Sequence, residues 1–93
     1  MSVTFEWDPK KAVRNIKNHG VSFEEATTVF RDTLSTTIAD PLHSEYEDRF
    51  VIIGESIKRR ILVVVHTDRG EKIRIITARV ANVHERKKYE EGN

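Results

Sequence analysis

The sequence has 93 residues, 38% of them hydrophobic, which suffices for one core but not for two, so we expect a single domain over residues 1–93. It contains no cysteine, which excludes a disulfide framework, a thiolate zinc site and cysteine catalysis and fits a reducing cytoplasm. The longest aliphatic run, Ile61 to Val65, is far too short to cross a bilayer and the N-terminus has no signal-peptide core, so we expect a soluble, unprocessed, cytoplasmic protein.

A short strand and a helix are predicted at the start of the chain. Residues Val3 to Trp7 alternate between apolar and polar side chains, as in a strand with one buried face. Asp8 then supplies a helix cap, and Pro9 suits the first helical position. The helix runs to the stop signal His19-Gly20, and its apolar residues recur at helical spacing: Ala12, Val13 and Ile16.

A second helix and a weaker strand follow. Ser22 begins the helix and Glu25 stands three residues later, so each side chain can satisfy a free backbone N–H in a capping box. The strand candidate spans Leu34 to Ala39, and Asp40-Pro41 ends it. The helix presents one apolar face, made of Phe23, Ala26, Val29 and Phe30.

Three β-rich segments in the second half of the chain predict an antiparallel meander. They are Phe50 to Ser56, Arg60 to Thr67 and Lys72 to Arg79, with Asp68 to Gly70 as the second turn. The continuous aliphatic run within the second segment indicates a central strand that is covered on both faces.

A terminal helix completes the predicted order of elements. Asn82 and Glu85 form a cap pair for a helix from Val83 to about Glu90. The order β-α-α-β-β-β-β-α predicts an α+β domain in which two N-terminal helices pack on an antiparallel sheet and a short helix ends the chain.

The formal net charge of +1 conceals an uneven distribution. Residues 1–48 carry nine acids and five bases, a net charge of −4, whereas residues 49–93 carry eleven bases and six acids, a net charge of +5. Between positions 58 and 79, seven bases accompany only two acids. Such a local excess attracts a polyanion, although cations along a sheet edge also serve solubility and discourage aggregation.

Alternation along the strands predicts a cationic surface on the last hairpin. If the hairpin closes at Asp68 to Gly70, His66 lies opposite Lys72. In this register Arg79 ends its strand close to Arg60, and two guanidinium groups there would clamp phosphate oxygens in a bidentate manner. One surface of the hairpin then collects Arg60, His66, Lys72 and Arg74.

A cationic surface of this kind suits RNA cleavage by the 2′-hydroxyl of the substrate. Such a reaction needs a base for that proton, an acid for the departing 5′-oxygen, and cations for the charge that builds on the phosphorus. The cations are well supplied, but the spacing of the other candidates assigns no roles. Histidines in small domains are commonly structural, and Tyr89 also suits helix packing. The proton-transfer candidates are His43, His66, His84, Glu45 and Tyr89.

Other constellations in the sequence are weak. No metal-ligand spacing, nucleophile elbow or glycine-rich phosphate loop occurs, so neither a metal nor a cofactor is expected. The segment HSEYEDR, from His43 to Arg49, could gather a divalent ion but suits charge pairs better. Trp7 stands among basic residues and could stack on a base, although a core position is the simpler interpretation.

Several separate motifs together resemble the BrnT toxin family. They cover almost the whole chain and stand in the family's order, so the resemblance is more specific than any single motif. The motifs are F-E-W-D-P-x-K-A-x-x-N at Phe5 to Asn15, H-G-V-S-F-E-E-A at His19 to Ala26, H-S-x-x-E-x-R-F at His43 to Phe50, I-G-x-S and R-x-L-x-V-V within Ile53 to Val65, R-I-I-T-A-R at Arg74 to Arg79, and E-R-x-x-Y at Glu85 to Tyr89.

The resemblance implies both an activity and a partner. Members of the family would have a compact RelE-like fold and would be metal-independent ribonucleases that arrest translation. A BrnA antitoxin with a ribbon-helix-helix DNA-binding domain would neutralise them. The family's motif arginines fall on Arg49, Arg60, Arg74 and Arg79 of this sequence, and Arg59 stands where the pattern usually has glycine, which would reshape the turn.

The sequence as a whole therefore predicts a ribonuclease toxin that acts on RNA. The clamp arginines would stabilise the transition state, neighbouring cations would bind the RNA backbone, and a histidine or tyrosine would transfer protons. The predicted catalytic residues are Arg60, Arg79, His43 and Tyr89, and the predicted RNA-binding residues are Arg59, Lys72, Arg74 and His66.

The mode of antitoxin binding and the enzymatic nature of the protein stay open at this point. A basic antitoxin segment could cover the acidic N-terminal half, or an acidic segment could lie over the cationic surface. Either would give a hetero-oligomer that contacts DNA only through the antitoxin. A non-enzymatic module that binds nucleic acid or protein is the alternative to an enzyme, and a purely structural role for the cations is a third interpretation.

Overall fold

The computed structural model describes residues 3–40 and 48–92. Within these ranges the chain forms five strands, three α-helices and a 3-10 turn at Val29–Arg31, in the predicted order. The strands are β1 (Thr4–Glu6), β2 (Thr36–Ala39), β3 (Arg49–Glu55), β4 (Ile61–Arg69) and β5 (Lys72–Val80). The helices are α1 (Pro9–His19), α2 (Phe23–Thr28) and α3 (Val83–Glu91).

The predicted helix ends are confirmed by their hydrogen bonds. The Asp8 carboxylate caps α1 by accepting from the backbone N–H of Lys10 at 2.8 Å, and Gly20 ends that helix in the left-handed region with φ 69°. The Ser22 hydroxyl accepts from the N–H of Glu25 at 3.0 Å. The expected return bond from the Glu25 side chain is wrong, because that carboxylate binds Arg60 and Ser56 instead.

The sheet is mixed, which corrects the expected antiparallel sheet. Its strand order is β1-β5-β4-β3-β2. Strands β2 to β5 pair antiparallel, as the meander predicted, but β1 pairs parallel to β5 with Glu6 opposite Arg74. The first and last strands thus meet at one sheet edge, a long-range pairing that the local pattern of β1 does not specify.

The last hairpin closes two residues later than predicted. Arg69 pairs with Lys72, so the turn consists of Gly70 and Glu71 rather than Asp68 to Gly70. A register shift beside Val65 and His66 adds one residue to β5, at Ile76. A shift of this kind changes which side chains share a face, because alternation restarts after the extra residue.

Alternation and packing define two faces of the sheet. The first face packs against α2 in the hydrophobic core, where Phe23 and Val29 meet Leu62, Val64 and Ile75. The opposite face we call the outer face. Because residues paired across strands share a face, the registers assign to it Arg49, Thr67, Lys72, Arg74, Thr77 and Arg79.

Helix α1 is anchored to the sheet by a polar residue. The buried Asn15 donates to the carbonyls of Ala78 and Val21 at 2.8 and 2.9 Å and accepts from the N–H of Ala78 at 3.2 Å. Its carboxamide thereby pairs with β5 as a neighbouring strand would. The apolar residues Val13 and Ile16, by contrast, are 68% and 52% exposed, so the helical spacing is confirmed but the buried side of the helix is not the apolar one.

Trp7 is partly buried at the border of the core, which is closer to the simpler interpretation than to an exposed stacking residue. It packs against the core cluster and meets the ring of Phe23 edge-on, with the ring centroids 5.9 Å apart. In the described part of the chain, no helix has the length and apolar character needed to cross a membrane.

Candidate functional site

The outer face carries an excess of positive charge. Its strand residues include five cations and, within the described ranges, two acids, Glu6 and Glu55. Arg49, Thr67, Arg74 and Glu6 form one row across four adjacent strands, with neighbouring strands about 5 Å apart. The five cations are Arg49, Arg69, Lys72, Arg74 and Arg79.

Two of these cations share one carboxylate at the sheet edge. Glu6 of β1 lies 3.2 Å from a guanidinium nitrogen of Arg74 and 3.9 Å from the ammonium group of Lys72. Both distances are long for charge-assisted bonds, and all three side chains are partly exposed. These three side chains therefore carry a net positive charge, and the Asp8 carboxylate just after β1 also attracts Arg74.

Arg79 is held more tightly, by α3. Its two terminal nitrogens donate to the two carboxylate oxygens of Glu85 at 2.7 and 2.8 Å. This bidentate bond lowers the pKa of Glu85 and raises that of Arg79. Glu85 also accepts from the backbone N–H of Asn82 in the capping box, as predicted, so the start of α3 fixes the Arg79 side chain.

Arg60 points to the other side of the sheet. Its guanidinium group donates to both carboxylate oxygens of Glu25, through Nε at 3.0 Å and through a terminal nitrogen, and it also reaches the carbonyl of Gly20. The Ser56 hydroxyl adds a bond to Glu25 at 2.6 Å. The Arg60 bond lowers the pKa of Glu25 against the opposing effect of burial.

The predicted clamp of Arg60 and Arg79 is therefore wrong. Arg79 lies opposite Val63 on the outer face, whereas Arg60 is bound to α2 on the core side. The clamp assumed the register in which His66 lies opposite Lys72, but Lys72 pairs with Arg69. Each guanidinium is already matched by an internal carboxylate, one from α2 and the other from α3.

Arg59 occupies a tight turn between β3 and β4. Its φ is 64°, and among the described residues it is the one non-glycine residue in the left-handed region. A three-residue hairpin loop commonly needs such a conformation at its last position. An exposed arginine thus adopts here a backbone conformation that glycine favours.

His66 is buried, which corrects its expected place on the RNA-binding surface. It is 5% exposed and lies between the rings of Phe30 and Phe50, with centroids 4.8 and 5.8 Å away. Burial lowers its pKa, and its Nδ1 atom is buried without a hydrogen-bond partner. The predicted register failed here because His66 pairs with Ile75 on the core side and not with Lys72.

Tyr89 ties the end of α3 to the loop before β2. Its hydroxyl donates to the carboxylate of Asp32 at 2.5 Å, and Asp32 also accepts from the backbone N–H of Leu34 and of Glu55. Burial and the bond to Asp32 raise the pKa of Tyr89 to about 12. The group therefore keeps its proton at neutral pH.

The remaining proton-transfer candidates are not brought together in the described part of the structure. His84 is exposed in the first turn of α3. His43 and Glu45 lie outside the described residues.

Sequence reasoning missed a cleft beside α1. Lys11, Arg14, Asn18 and His19 line one side of it, and Ile76 and Thr77 of β5 line the other, around a volume of about 250 Å³. Lys11, Arg14 and Asn18 are three or four residues apart, which was a signal that they share one side of the helix. Their approach to β5 follows from the Asn15 anchor, which no local pattern indicates.

Comparisons with known proteins confirm the resemblance to the family. Residues 7–85 match the family described as the ribonuclease toxin BrnT of type II toxin-antitoxin systems. The crystal structure of the Brucella abortus ribonuclease toxin BrnT has the same fold, with a TM-score of 0.64 and 23% identity over 87% of this chain and 99% of that chain. A search of curated proteins finds no match. Because the family match spans most of the sequence, the chain belongs to the BrnT family of ribonuclease toxins of type II toxin-antitoxin systems.

Proposed function

We propose that this protein is an endoribonuclease toxin of RelE-like fold that cuts RNA without a metal ion and thereby arrests translation. The observation that carries the proposal is the charge of the outer face, where five cations from β3, β4 and β5 accompany two strand acids in the described ranges. A single-stranded phosphate backbone is the polyanion that such a surface fits.

The chemistry proposed is attack of the substrate's 2′-hydroxyl on the adjacent phosphorus, with departure of the 5′-oxygen. The protein then has to stabilise added negative charge on the phosphate and to move two protons. Arg79 is the best placed cation, because Glu85 fixes its orientation while 40% of its side chain stays exposed. Arg74 and Lys72 would hold the flanking backbone.

The residue roles change accordingly. Arg60 is assigned to the structural bond with Glu25, and Arg59 to a peripheral contact at most. Tyr89 can act only as a proton donor at neutral pH, because its pKa is about 12. His43 stays a proposed proton-transfer group on the strength of the family motif alone.

The deciding experiment incubates the purified protein with single-stranded RNA in excess EDTA. Cut products are expected, with a 2′,3′-cyclic phosphate at the new end. Salt-sensitive retention of intact RNA would instead favour the alternative, a binding module without catalysis. The carboxylate pairing of Arg74 and Arg79 is the observation that favours this alternative, since it leaves fewer charges for a transition state.

Variants at the outer face link cleavage to growth inhibition. Arg79→Gln is expected to abolish growth arrest and to lower RNA cleavage at least tenfold. Arg86→Gln, which removes the same charge from an exposed position of α3, is the matched control and should retain both. Equal activity of the two variants would remove Arg79 from the site.

We further propose that the antitoxin partner implied by the family is a BrnA-like protein with a ribbon-helix-helix domain. The complex would be a hetero-oligomer and would reach DNA only through that domain. Co-expression of the toxin with the gene beside its own should restore growth, and co-purification should show both chains. Growth arrest that no neighbouring gene relieves would contradict this partner.

A further inference from the structure

The cleft between α1 and β5 is lined by cations without a carboxylate. The cations Lys11 and Arg14 and the imidazole ring of His19 come from α1, and Thr77 supplies a hydroxyl from β5. Asn18 adds a second neutral polar group. The ionisable groups that line the cleft are all basic, so an anion entering it meets positive charge and hydrogen-bond donors there, while the Asp8 carboxylate at the start of α1 lies outside the lining.

The side chains of Lys11 and Arg14 differ in their pairing from the family's motif arginines. Arg60, Arg74 and Arg79 each form a salt bridge with a glutamate. In the described part of the chain, the side chains of Lys11 and Arg14 form no salt bridge, although the Asp8 carboxylate at the start of α1 attracts Lys11, and both residues are exposed. Binding a phosphate at the cleft therefore requires no internal ion pair to break.

The cleft is continuous with the outer face. Thr77 lines the cleft and also pairs with Val65 on the outer face, between Arg74 and Arg79 along β5. Residues two apart on a strand are separated by about 7 Å, close to the spacing of successive phosphates in an extended strand. A backbone lying across Thr77 would pass from the outer face directly into the cleft.

The position of α1 is fixed rather than adaptable. The buried Asn15 bonds both backbone groups of Ala78, one residue beyond Thr77, and this anchor holds the cations at a set distance from β5. A preformed cationic groove is what recognition of a sugar-phosphate backbone uses, since its geometry is the same for every base.

We propose that the cleft between α1 and β5 is an RNA-backbone subsite, in which Lys11 and Arg14 bind phosphates that flank the scissile bond. This inference rests on the proposed function for the identity of the polyanion. It assigns substrate binding to a helix outside the arginine motifs, with Lys11 and Arg14 as contacts and Asn15 as a positioning residue.

The test measures how salt weakens binding of a 2′-O-methyl RNA 12-mer, a probe that has no free 2′-hydroxyl and is not cut. For single strands, log Kobs falls with log salt by about 0.7 per phosphate contact. The variant Lys11→Gln/Arg14→Gln is expected to lower the slope by about 1.4. The variant Lys10→Gln/Lys17→Gln removes the same charge from exposed α1 residues outside the cleft lining, and should change the slope by less than half as much.

Each outcome bears on the proposal. A larger slope change in the cleft variant, with unchanged thermal midpoints, supports the subsite. Equal slope changes in both variants overturn it, because charge alone would then explain binding. Cleavage of ordinary RNA by the wild type is scored separately. If the slopes separate but the wild type cuts nothing, the subsite stands and the enzyme assignment falls.

Discussion

At the scale of single residues, the motif arginines Arg60, Arg74 and Arg79 differ in the glutamates with which they form salt bridges. Arg60 meets a carboxylate whose side chain is 2% exposed, whereas its own side chain is 35% exposed. Removing the arginine leaves a buried charge behind, but removing the glutamate leaves an arginine that can turn to solvent. The two partners of the pair are therefore energetically unequal.

We predict that Arg60→Ala destabilises the protein by about 2–3 kcal/mol, somewhat less than loss of a partner from a fully buried pair. The reason is that, among the described residues, Glu25 then keeps only Ser56 as a side-chain donor. Urea denaturation at pH 7 measures the change. The double variant Glu25→Gln/Arg60→Gln should recover most of the loss, and a double variant as unstable as Arg60→Ala would contradict the explanation.

A second prediction concerns Arg59. With φ 64°, an L-residue here costs about 1 kcal/mol that glycine avoids. Arg59→Gly should therefore raise the free energy of unfolding by about 0.5–1 kcal/mol, even though glycine adds freedom to the unfolded chain. Lys58→Gly, one residue earlier and outside the left-handed region, should lower it. A gain of stability in both variants would point to relief of charge repulsion instead.

At the scale of elements, α3 is joined to the domain by polar contacts. None of its residues is buried, and its strongest links are Glu85 to Arg79 and Tyr89 to Asp32. A helix of nine residues is marginal by itself. We infer that α3 opens more readily than the strands beneath it.

Glu85→Gln should make this opening visible. The substitution retains the shape of the side chain but removes its charge from Arg79, so the amides of α3 should exchange with deuterium about three to ten times faster. The amides of β4 should exchange at the wild-type rate. Glu90→Gln, on the same helix and exposed, is the control, and equal acceleration in both variants would refute a specific tether.

The elements that were predicted correctly are those with local signals. Asp8, Gly20 and Asn82 mark helix ends because capping depends on neighbours within four residues. The register of β4 and β5 could not be predicted from local signals. The extra residue at Ile76 reverses the alternation, and no glycine or proline beside it indicates a bulge. The site depended on that register. Lys72 and Arg74 share a surface as predicted, but the extra residue brings Arg79 to the same face, and Arg60 and His66 lie on the core side instead.

Long-range pairing explains the other differences. The sequence does not distinguish the three glutamates that bind arginines from ordinary surface residues. Glu6 binds an arginine 68 positions away, Glu25 one 35 positions away and Glu85 one 6 positions away. Only the last pair is close enough to follow from spacing. The family motifs locate the arginines, but the carboxylates that orient them become apparent only once the sheet is assembled.

At the scale of the whole molecule, the acidic groups and the histidine with shifted pKa values all lower the stability of the fold when the pH falls. The pKa values of Glu25, Asp32 and Glu85 are lowered from their ordinary values in the folded state. A carboxyl group whose pKa is lowered in the folded state stabilises the fold at pH values above its ordinary pKa. This stabilisation disappears as the pH falls through the pKa of the folded state. Acid should therefore weaken the contacts of α2 and α3 below about pH 4.5.

His66 adds an earlier loss of stability at milder acidity. Burial lowers its pKa from 6.5, so the unfolded chain takes up a proton before the folded chain does, and the free energy of unfolding falls as the pH drops below 6.5. A hydrogen bond with the backbone of Val64 and the charge of Asp68 favour the protonated ring, but burial outweighs both and makes protonation inside the core unfavourable. We predict that urea midpoints of the wild type decline between pH 7 and pH 5 and that His66→Leu removes most of this decline while retaining the steeper loss below pH 4.5. An unchanged profile in His66→Leu would show that another group governs the first phase.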